Sequence, residues 1–287
     1  MRAAVCGGSS GTRPNDLKSM STTASWMSSS EPVANMSLRG PTETRLASRT
    51  RESAGLAALI DPDNFDKKRA ALVAKTAAKL GFRCVLIGGS TLGDQSHLDE
   101  IVLAVKRGVT CPVILFPGNI TGISRHADAI LFSSLLNSTN TYFIVGAQAL
   151  GAIQVNRYHL EAIPMGYLVF GDESTTSFIG QVRPIPYTKP TVAVMYALAA
   201  QYLGMRALYL EAGSGSDHPM PVEVVKAVRM HFEGLLIVGG GITTPQTATR
   251  LSDAGADLLV IGNLLETKDF ESKLLPITQA LRDKLKH

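Results

Sequence analysis

Three consecutive glycines close an apolar run late in the sequence, and they are the first residues that suggest a ligand site. They are Gly239, Gly240 and Gly241 in "IVGGGITTP", and a later apolar run ends in Gly262 and Asn263. Glycine lets the main chain approach a ligand closely and adopt positive φ. The N–H groups at the start of a following helix then attract an anion. The two runs therefore predict a phosphate site, with glycine simply ending crowded strands as the alternative.

A single carboxylate stands in the apolar run that precedes these glycines. Glu211 lies in "YLEAGSG", and Tyr209 shares its face because side chains on a strand alternate with a period of two. A carboxylate beside a phosphate is costly unless it accepts hydrogen bonds from substrate hydroxyls or takes a proton. We therefore predict a chemical role for Glu211, with a structural ion pair to an arginine as the alternative. Gly213, Ser214 and Gly215 supply further main-chain N–H groups.

A second carboxylate ends an early apolar run. Asp61 lies in "LIDPD", and the next run ends in "GGST" at residues 88–91. A carboxylate and a hydroxyl at neighbouring strand ends suit Mg²⁺, which takes few protein ligands and completes its octahedron with water and phosphate oxygens. Alone this is a weak signal, because Asp-Pro-Asp is also a common turn before a helix.

The pattern of the chain from Leu56 onward predicts how these residues come together. Apolar runs alternate with amphipathic helical segments, and each run is apolar on both faces, as in parallel strands covered by helices. Eight such repeats predict an α/β fold, a (β/α)8 TIM barrel, whose site lies at the C-terminal ends of the strands and whose last two loops hold phosphate. The eight runs are residues 56–63, 83–90, 111–118, 128–137, 161–170, 207–213, 235–241 and 257–263.

Two details qualify the predicted barrel. Residues 119–127 are short and broken by glycine, so we predict a degenerate third helix. An open doubly wound sheet is the alternative fold, and it is disfavoured because no GxGxxG follows the first apolar run.

The first 55 residues differ in composition from the rest. They hold eleven serines and six threonines and show no apolar periodicity. Such a segment buries too little apolar surface to offset its ordering entropy. We therefore predict a disordered Ser/Thr/Arg-rich extension over residues 1–55 and a catalytic barrel domain over 56–287. An upstream extension with Met36 as a start is the simpler interpretation, and an organellar transit peptide is the alternative.

Charge and cysteine content exclude several classes of protein. The net charge is +4, but residues 56–287 hold 21 basic and 20 acidic residues, so no nucleic-acid footprint is present. Cys6, Cys84 and Cys111 have neither pairing nor metal-binding spacing, which favours a reducing compartment and a cytoplasmic location. No apolar run reaches about 18 residues, so no transmembrane segment is predicted.

Seven stretches of the chain together resemble the geranylgeranylglyceryl phosphate synthase family. They are "LIDPD", "LIGGST", "ILFPGNITGISRHADAILFSSLLNS", "IVGAQALGA", "YLEAGSG", "IVGGGI" and "VIGN", within roughly residues 55–268. The family consists of TIM-barrel prenyltransferases related to the heptaprenylglyceryl phosphate synthases. The resemblance implies that geranylgeranyl diphosphate, or a similar prenyl diphosphate, alkylates the 3-hydroxyl of sn-glycerol 1-phosphate. Mg²⁺ assists, pyrophosphate is released, and the product begins ether-lipid synthesis.

The resemblance also implies roles for individual residues. Glu211 and Tyr209 would be catalytic, and Asp61 and Ser90 would bind the metal. The residues implied to contact sn-glycerol 1-phosphate are Tyr209, Leu210, Glu211, Ala212, Gly213, Ser214, Gly215, Gly240, Gly241, Gly262 and Asn263. The expected partners are then sn-glycerol 1-phosphate and a prenyl diphosphate, and no nucleic acid. Peripheral binding to a membrane surface is compatible with the resemblance.

The sequence departs from the family at one position. Some relatives carry Lys two residues before the metal-binding Asp, and this chain has Leu59 there. The chain also lacks DDxxD, the signature of helical prenyltransferases, which fits a barrel enzyme with one Asp. Two other functions stay open: another phosphate-binding barrel enzyme, or a non-catalytic barrel that only binds.

Three further features are predicted: a groove for the prenyl chain, a lid and an apolar helix at a subunit contact. The prenyl chain needs an apolar groove, although each aromatic candidate for it also suits an ordinary core. Residues 176–190 are too long and proline-rich for a tight turn and predict a lid. Residues 191–205 are apolar nearly all round, which predicts a homo-oligomer. The groove candidates are Phe116, Phe132, Tyr142, Tyr167 and Phe170.

Overall fold

The fold was examined in a computed structural model that describes residues 39–47, 53–89, 93–171, 174–213 and 218–284. Within these ranges eight parallel strands pair in chain order, and β1 pairs with β8 to close the barrel. The predicted (β/α)8 TIM barrel is therefore confirmed. The strands are β1 Gly55–Ile60, β2 Cys84–Ile87, β3 Val113–Leu115, β4 Ala129–Leu135, β5 Glu161–Val169, β6 Ala207–Glu211, β7 Leu235–Gly239 and β8 Leu258–Ile261.

Helices follow the strands and cover the outside of the barrel. Their local signals are ordinary ones: Asp66 and Asp94 accept first-turn N–H groups at the start of α2 and α3, and Thr244 does so for α8. The helices are α1 Pro41–Ala47, α2 Lys67–Lys79, α3 Gln95–Lys106, α4 Ala147–Arg157, α5 Thr175–Ile179, α6 Pro190–Tyr202, α7 Val222–Arg229, α8 Pro245–Asp253, α9 Asn263–Glu266 and α10 Phe270–Asp283.

Strand alternation divides the core into two layers. On β6, Ala207 and Tyr209 point into the barrel, whereas Leu208 and Leu210 pack against the helices. The other strands divide their side chains in the same way, which explains why every strand is apolar on both faces. Glu211 follows the inward-facing set, so it lies at the C-terminal mouth of the barrel.

The third helix is degenerate, as the sequence predicts. After β3 the chain forms only a three-residue 3₁₀ helix, Ile120–Gly122, before β4 begins. A Cβ at Gly122 would lie 2.6 Å from the Pro117 side chain, so the turn folds tightly back on itself. Ile120 of this turn lines the cavity at the barrel mouth.

Helix α1 corrects part of the predicted disorder in residues 1–55. The Glu161 carboxylate accepts the Thr42 and Glu43 N–H groups, each at 2.7 Å, and so caps the helix. Arg206 donates to both Glu43 carboxylate oxygens, at 2.8 and 2.7 Å, and Leu46 is buried in the barrel interior. The prediction is wrong for residues 41–47, because partners more than 100 residues away order a helix too short to be stable alone.

The remainder of that prediction is not tested. Residues 1–38 and 48–52 lie outside the described ranges. From Arg39 onward the described chain forms one compact unit, so the folded domain starts earlier than residue 56.

None of the helices in the described part of the chain has the length and apolar character needed to cross a bilayer.

Candidate active site

A cavity of about 460 Å³ opens at the C-terminal ends of the strands. One side is formed by the loops after β7 and β8, and the opposite side by apolar residues from β4, α4 and α5. Such a mouth is where TIM barrels hold their active sites. The residues that line it include Asp61, Gly88, Gly89, Glu211, Gly240, Gly241, Gly262 and Asn263.

Glu211 is the carboxylate at the centre of this cavity. Only 6% of the residue is exposed, and Gly213 N–H donates to its Oε1 at 2.9 Å. Burial raises the pKa of Glu211 to about 7, and hydrogen bonds from the Gly213 N–H and the Tyr209 hydroxyl limit that rise. In the part of the chain that the structure describes, its partners are neutral donors, and no arginine pairs with it as the alternative predicted. A carboxylate with a pKa near neutrality is suited to general-base chemistry.

Two of the three glycines after β7 make room for these side chains. A Cβ at Gly239 would lie 1.9 Å from the Tyr209 hydroxyl, and one at Gly240 would lie 2.8 Å from Glu211 Oε1. Gly240 also has φ +88°, which favours glycine. The sequence predicted that the glycines leave space for a ligand, and the structure adds that they first leave space for Tyr209 and Glu211.

Gly241 and Gly262 complete the glycine-lined side of the cavity. Gly241 has φ +66°, and a Cβ there would lie 2.7 Å from the Pro219 N atom. At Gly262 a Cβ would come no closer than 3.7 Å to Leu59, which is ordinary contact distance. Packing within the protein therefore does not require glycine at 262, so a ligand approaching the main chain is the better explanation there.

An aromatic cluster lies beneath Glu211. The Tyr209 ring stacks on Phe116 with centroids 5.1 Å apart and meets Tyr167 edge to face, also at 5.1 Å. The Tyr167 hydroxyl hydrogen-bonds Thr176 of α5, and burial together with the nearby Glu211 charge raises its pKa well above the usual value. The cluster keeps Tyr209 neutral and fixed, so that its hydroxyl donates to Glu211.

Asp61 lies on the same mouth, at the end of β1. It is half-buried, and a Cβ at Gly89 would lie 2.2 Å from its Oδ1. Burial raises the pKa of Asp61, the Asp63 N–H opposes the rise, and the negative charges of Asp63 and Glu266 add to it. A carboxylate near two other acids is a favourable position for a cation.

Glu266 is a functional candidate that the sequence analysis missed. It lies on α9, lines the cavity, and accepts a hydrogen bond from Asn64 at 3.0 Å. Its position directly after "VIGN" could have identified it, because that loop was already assigned to the site.

Among the described residues, no group of three or more His, Cys, Asp or Glu side chains is arranged to hold a metal ion.

The structure brings most of the predicted site residues together, but not all. Tyr209, Glu211, Gly240, Gly241, Gly262, Asn263 and Asp61 all line the cavity. The side chains of Leu210 and Ala212 instead pack in the layer facing the helices, because they alternate with Tyr209 and Glu211 along the chain. Leu210 and Ala212 therefore do not line the cavity with their side chains, and their contact with the substrate stays a prediction. Gly213 acts through its N–H on Glu211, and Ser90, Ser214 and Gly215 lie outside the described residues.

The apolar side of the cavity extends toward the degenerate third helix. Phe116, Phe132 and Tyr167, three of the aromatic groove candidates, line it. Phe170 is fully buried in the outer core, and Tyr142 hydrogen-bonds Asn119 at 2.6 Å. Thr176, Ile179 and Gly180 of the predicted lid segment also line the cavity. Further apolar residues on this side include Ile120, Ile123, Ile130, Leu131, Leu135, Phe143 and Ile179.

Comparisons with known proteins confirm the resemblance found in the sequence. The PcrB family matches residues 49–281 of the chain. The geranylgeranylglyceryl phosphate synthase of Cenarchaeum symbiosum (strain A) is 50% identical over 243 residues, which cover 84% of this chain and 98% of the relative. That of Nitrosopumilus maritimus (strain SCM1) is 50% identical over 241 residues, covering 84% and 96%.

A solved structure has the same fold. It is (S)-3-O-geranylgeranylglyceryl phosphate synthase from Thermoplasma acidophilum, crystallised in complex with its substrate sn-glycerol-1-phosphate. The two structures superpose with a TM-score of 0.80 at 39% sequence identity, over 83% of this chain and 97% of that chain.

Proposed function

The chain belongs to the PcrB family, and we propose that it transfers a prenyl group from geranylgeranyl diphosphate, or a similar prenyl diphosphate, to the 3-hydroxyl of sn-glycerol 1-phosphate. The observation that carries the proposal is Glu211: a buried carboxylate with a pKa near 7 between a glycine-lined end and an apolar end of one cavity. A small phosphate ester with a free hydroxyl fits the first end, and a prenyl chain fits the second.

The glycine-lined end would bind the glycerol phosphate. Main-chain atoms of Gly240, Gly241, Gly262 and Asn263 border the cavity there, and α8 begins directly behind them with a Thr244 cap. The partial positive charge of a helix N-terminus favours a phosphate in that position. The glycerol hydroxyl would then lie next to Glu211.

Glu211 would act on the 3-hydroxyl. With its carboxylate held by Gly213 and Tyr209, it orients the hydroxyl and accepts its proton. The hydroxyl oxygen forms a bond to C1 of the prenyl group while the bond from C1 to the diphosphate oxygen breaks. The proton stays on Glu211, and pyrophosphate leaves.

We propose that Asp61 contributes to a magnesium site. Asp61 supplies a carboxylate oxygen in acidic surroundings, and hard oxygen ligands of this kind are what Mg²⁺ prefers. Asp61, with Ser90 as a further proposed ligand, would hold the ion. When bound, Mg²⁺ would withdraw charge from the diphosphate leaving group.

The apolar end of the cavity would hold the prenyl chain. The cavity extends to Ile120 of the 3₁₀ turn that replaces the third helix, and a long prenyl chain would leave the site in this direction. Contacts with hydrocarbon are non-directional, so this end selects for length and shape more than for chemistry.

The decisive experiment is transfer of a radiolabelled prenyl group to glycerol phosphate. We expect a chloroform-soluble product from sn-glycerol 1-phosphate and much less from sn-glycerol 3-phosphate, with loss of activity when EDTA removes Mg²⁺. Farnesyl, geranylgeranyl and heptaprenyl diphosphates supplied in parallel define the donor length. Absence of product with every donor would reject the proposal in favour of another phosphate-binding barrel enzyme or a binding module.

We also propose a homo-oligomer. Helix α6 leaves Met195 and Tyr202 65% and 79% exposed, while the residues it buries are the small Ala193, Ala197 and Ala200. An apolar helix face of this kind favours a protein partner. Sedimentation velocity should give a species larger than one chain, and Met195→Lys should shift it toward the monomer. A wild-type monomer at micromolar concentration would contradict this.

A further inference from the structure

Tyr187 contacts the main chain that holds Glu211. It lies between α5 and α6, outside the residues so far assigned to the site, and its hydroxyl donates to the Ala212 carbonyl at 2.8 Å. Ala212 is the residue directly after Glu211 on the chain. The contact joins the segment after β5 to the end of β6, across 25 residues of sequence.

The Ala212 carbonyl and the Gly213 N–H belong to one peptide unit. That unit is planar and trans, as are all peptide bonds in the described chain, so its carbonyl and its N–H point in opposite directions. Tyr187 binds the carbonyl side, and the N–H side donates to Glu211 Oε1 at 2.9 Å. Fixing the direction of the carbonyl therefore fixes the direction of the N–H.

This peptide unit needs an external contact to keep its orientation. Gly213 has φ +103°, and glycine tolerates values on both sides of zero. A rotation of the 212–213 peptide would turn the N–H away from Glu211, and glycine at 213 allows the change of φ that this rotation needs. The hydrogen bond from the Tyr187 hydroxyl to the Ala212 carbonyl opposes that rotation.

Tyr187 is itself held in place. Its ring stacks on Phe170 with centroids 6.5 Å apart and an interplanar angle of 7°, and a Cβ at Gly171 would lie 2.6 Å from its hydroxyl. The backbone of its segment is tied to the barrel through Ile185 N–H to the Val169 carbonyl at 3.0 Å. A hydroxyl anchored in this way can define the position of its partner.

We propose that Tyr187 is a positioning residue, which holds the 212–213 peptide so that the Gly213 N–H keeps the Glu211 carboxylate aimed at the substrate hydroxyl. The inference rests on the proposed function of Glu211 as the base. Among the described residues, the other groups that face Glu211 are the Tyr209 hydroxyl on β6, the Tyr167 hydroxyl on β5 and the Gly240 main chain after β7. None of these replaces the Gly213 N–H if the peptide turns.

The test is Tyr187→Phe, which removes only the hydroxyl and keeps the ring on Phe170. We expect kcat to fall about tenfold, because a small misplacement of a catalytic group is costly, while KM for sn-glycerol 1-phosphate changes little. The acid limb of the kcat–pH profile should move to higher pH, because the Gly213 hydrogen bond normally lowers the Glu211 pKa. Tyr158→Phe is the matched control, since its hydroxyl bonds Gln154 on α4 at 3.1 Å, away from the site.

An infrared titration makes the test independent of turnover. The carboxyl band of protonated Glu211 is assigned by its loss in Glu211→Gln, and its midpoint is compared between the wild type and Tyr187→Phe. A midpoint at higher pH in Tyr187→Phe supports the inference. An unchanged midpoint overturns it, even if the variant is less stable or less active. If the wild type transfers no prenyl group, the proposed function fails, while the infrared comparison still decides the role of Tyr187.

Discussion

The two ends of the barrel each bury a glutamate, and the two side chains differ in what surrounds them. At the N-terminal end, Glu43 is 1% exposed and forms a two-pronged ion pair with Arg206. At the C-terminal end, Glu211 is 6% exposed and is held by an amide N–H and a phenol. A paired charge fastens α1 to the barrel, whereas a carboxylate with only neutral donors keeps a pKa near 7 and stays available for a proton.

Burial by itself therefore does not mark a functional carboxylate in this barrel. Both glutamates are buried and form short hydrogen bonds. Glu43 binds Arg206, which is distant in sequence, and Glu211 binds the N–H of Gly213, which has a positive φ. They differ in two ways: Glu43 is paired with a positively charged arginine, and Glu211 lies beside an open cavity. Mutations at the two ends should therefore separate activity from stability.

The largest effect should follow Glu211→Gln. Loss of the proton acceptor should lower kcat/KM by about 10²- to 10⁴-fold, while binding of sn-glycerol 1-phosphate, measured by calorimetry, persists. Glu233→Gln, at an exposed position, is the matched control. Full activity in Glu211→Gln would remove the distinction between the two ends.

Arg206→Met should produce the opposite pattern. Among the described residues it leaves buried Glu43 with the 3.4 Å contact to Arg39, so we expect a loss of about 3 kcal/mol in the free energy of unfolding. Urea denaturation measures this, and kcat/KM of the folded protein should stay near the wild-type value. The control is Arg107→Met on the exposed surface. A large fall in kcat/KM at constant stability would contradict the structural role of this end.

Gly262→Ala examines the phosphate end of the cavity. The protein has room for the methyl group, so the melting temperature should barely change, but a phosphate close to the main chain would be displaced. We expect roughly tenfold weaker binding of sn-glycerol 1-phosphate, measured by calorimetry. Gly93→Ala, where the added Cβ has nothing within 4 Å, is the control. Unchanged affinity would place the phosphate elsewhere.

The smallest effect is the pH dependence of the wild type. Because burial raises the Glu211 pKa to about 7, the carboxylate needed as a base is lost as the pH falls through that value. At pH 7 kcat/KM should be about half of its plateau and should decline further below it. Binding of glycerol phosphate over the same range separates titration of Glu211 from titration of the substrate phosphate. A flat profile from pH 8 to 6 would argue against Glu211 as the base.

The order of the elements and the edge of the barrel that holds the site follow from local patterns in the sequence. Period-two and period-3.6 patterns are local, so eight apolar runs, the degenerate helix after β3 and the glycines after β7 and β8 could be recognised without a structure. The assignment of Glu211 and Tyr209 to one face followed from alternation along a single strand.

Only the tertiary structure decided which partners these residues have. That Gly239 and Gly240 accommodate Tyr209 and Glu211, that α1 folds on Glu161 and Arg206, and that Glu266 approaches Asp61 all depend on distant parts of the chain. The raised pKa of Glu211 has the same origin, since it depends on how completely the surrounding elements exclude water. Local patterns specify where strands and helices form, but burial and electrostatics arise only when the barrel closes.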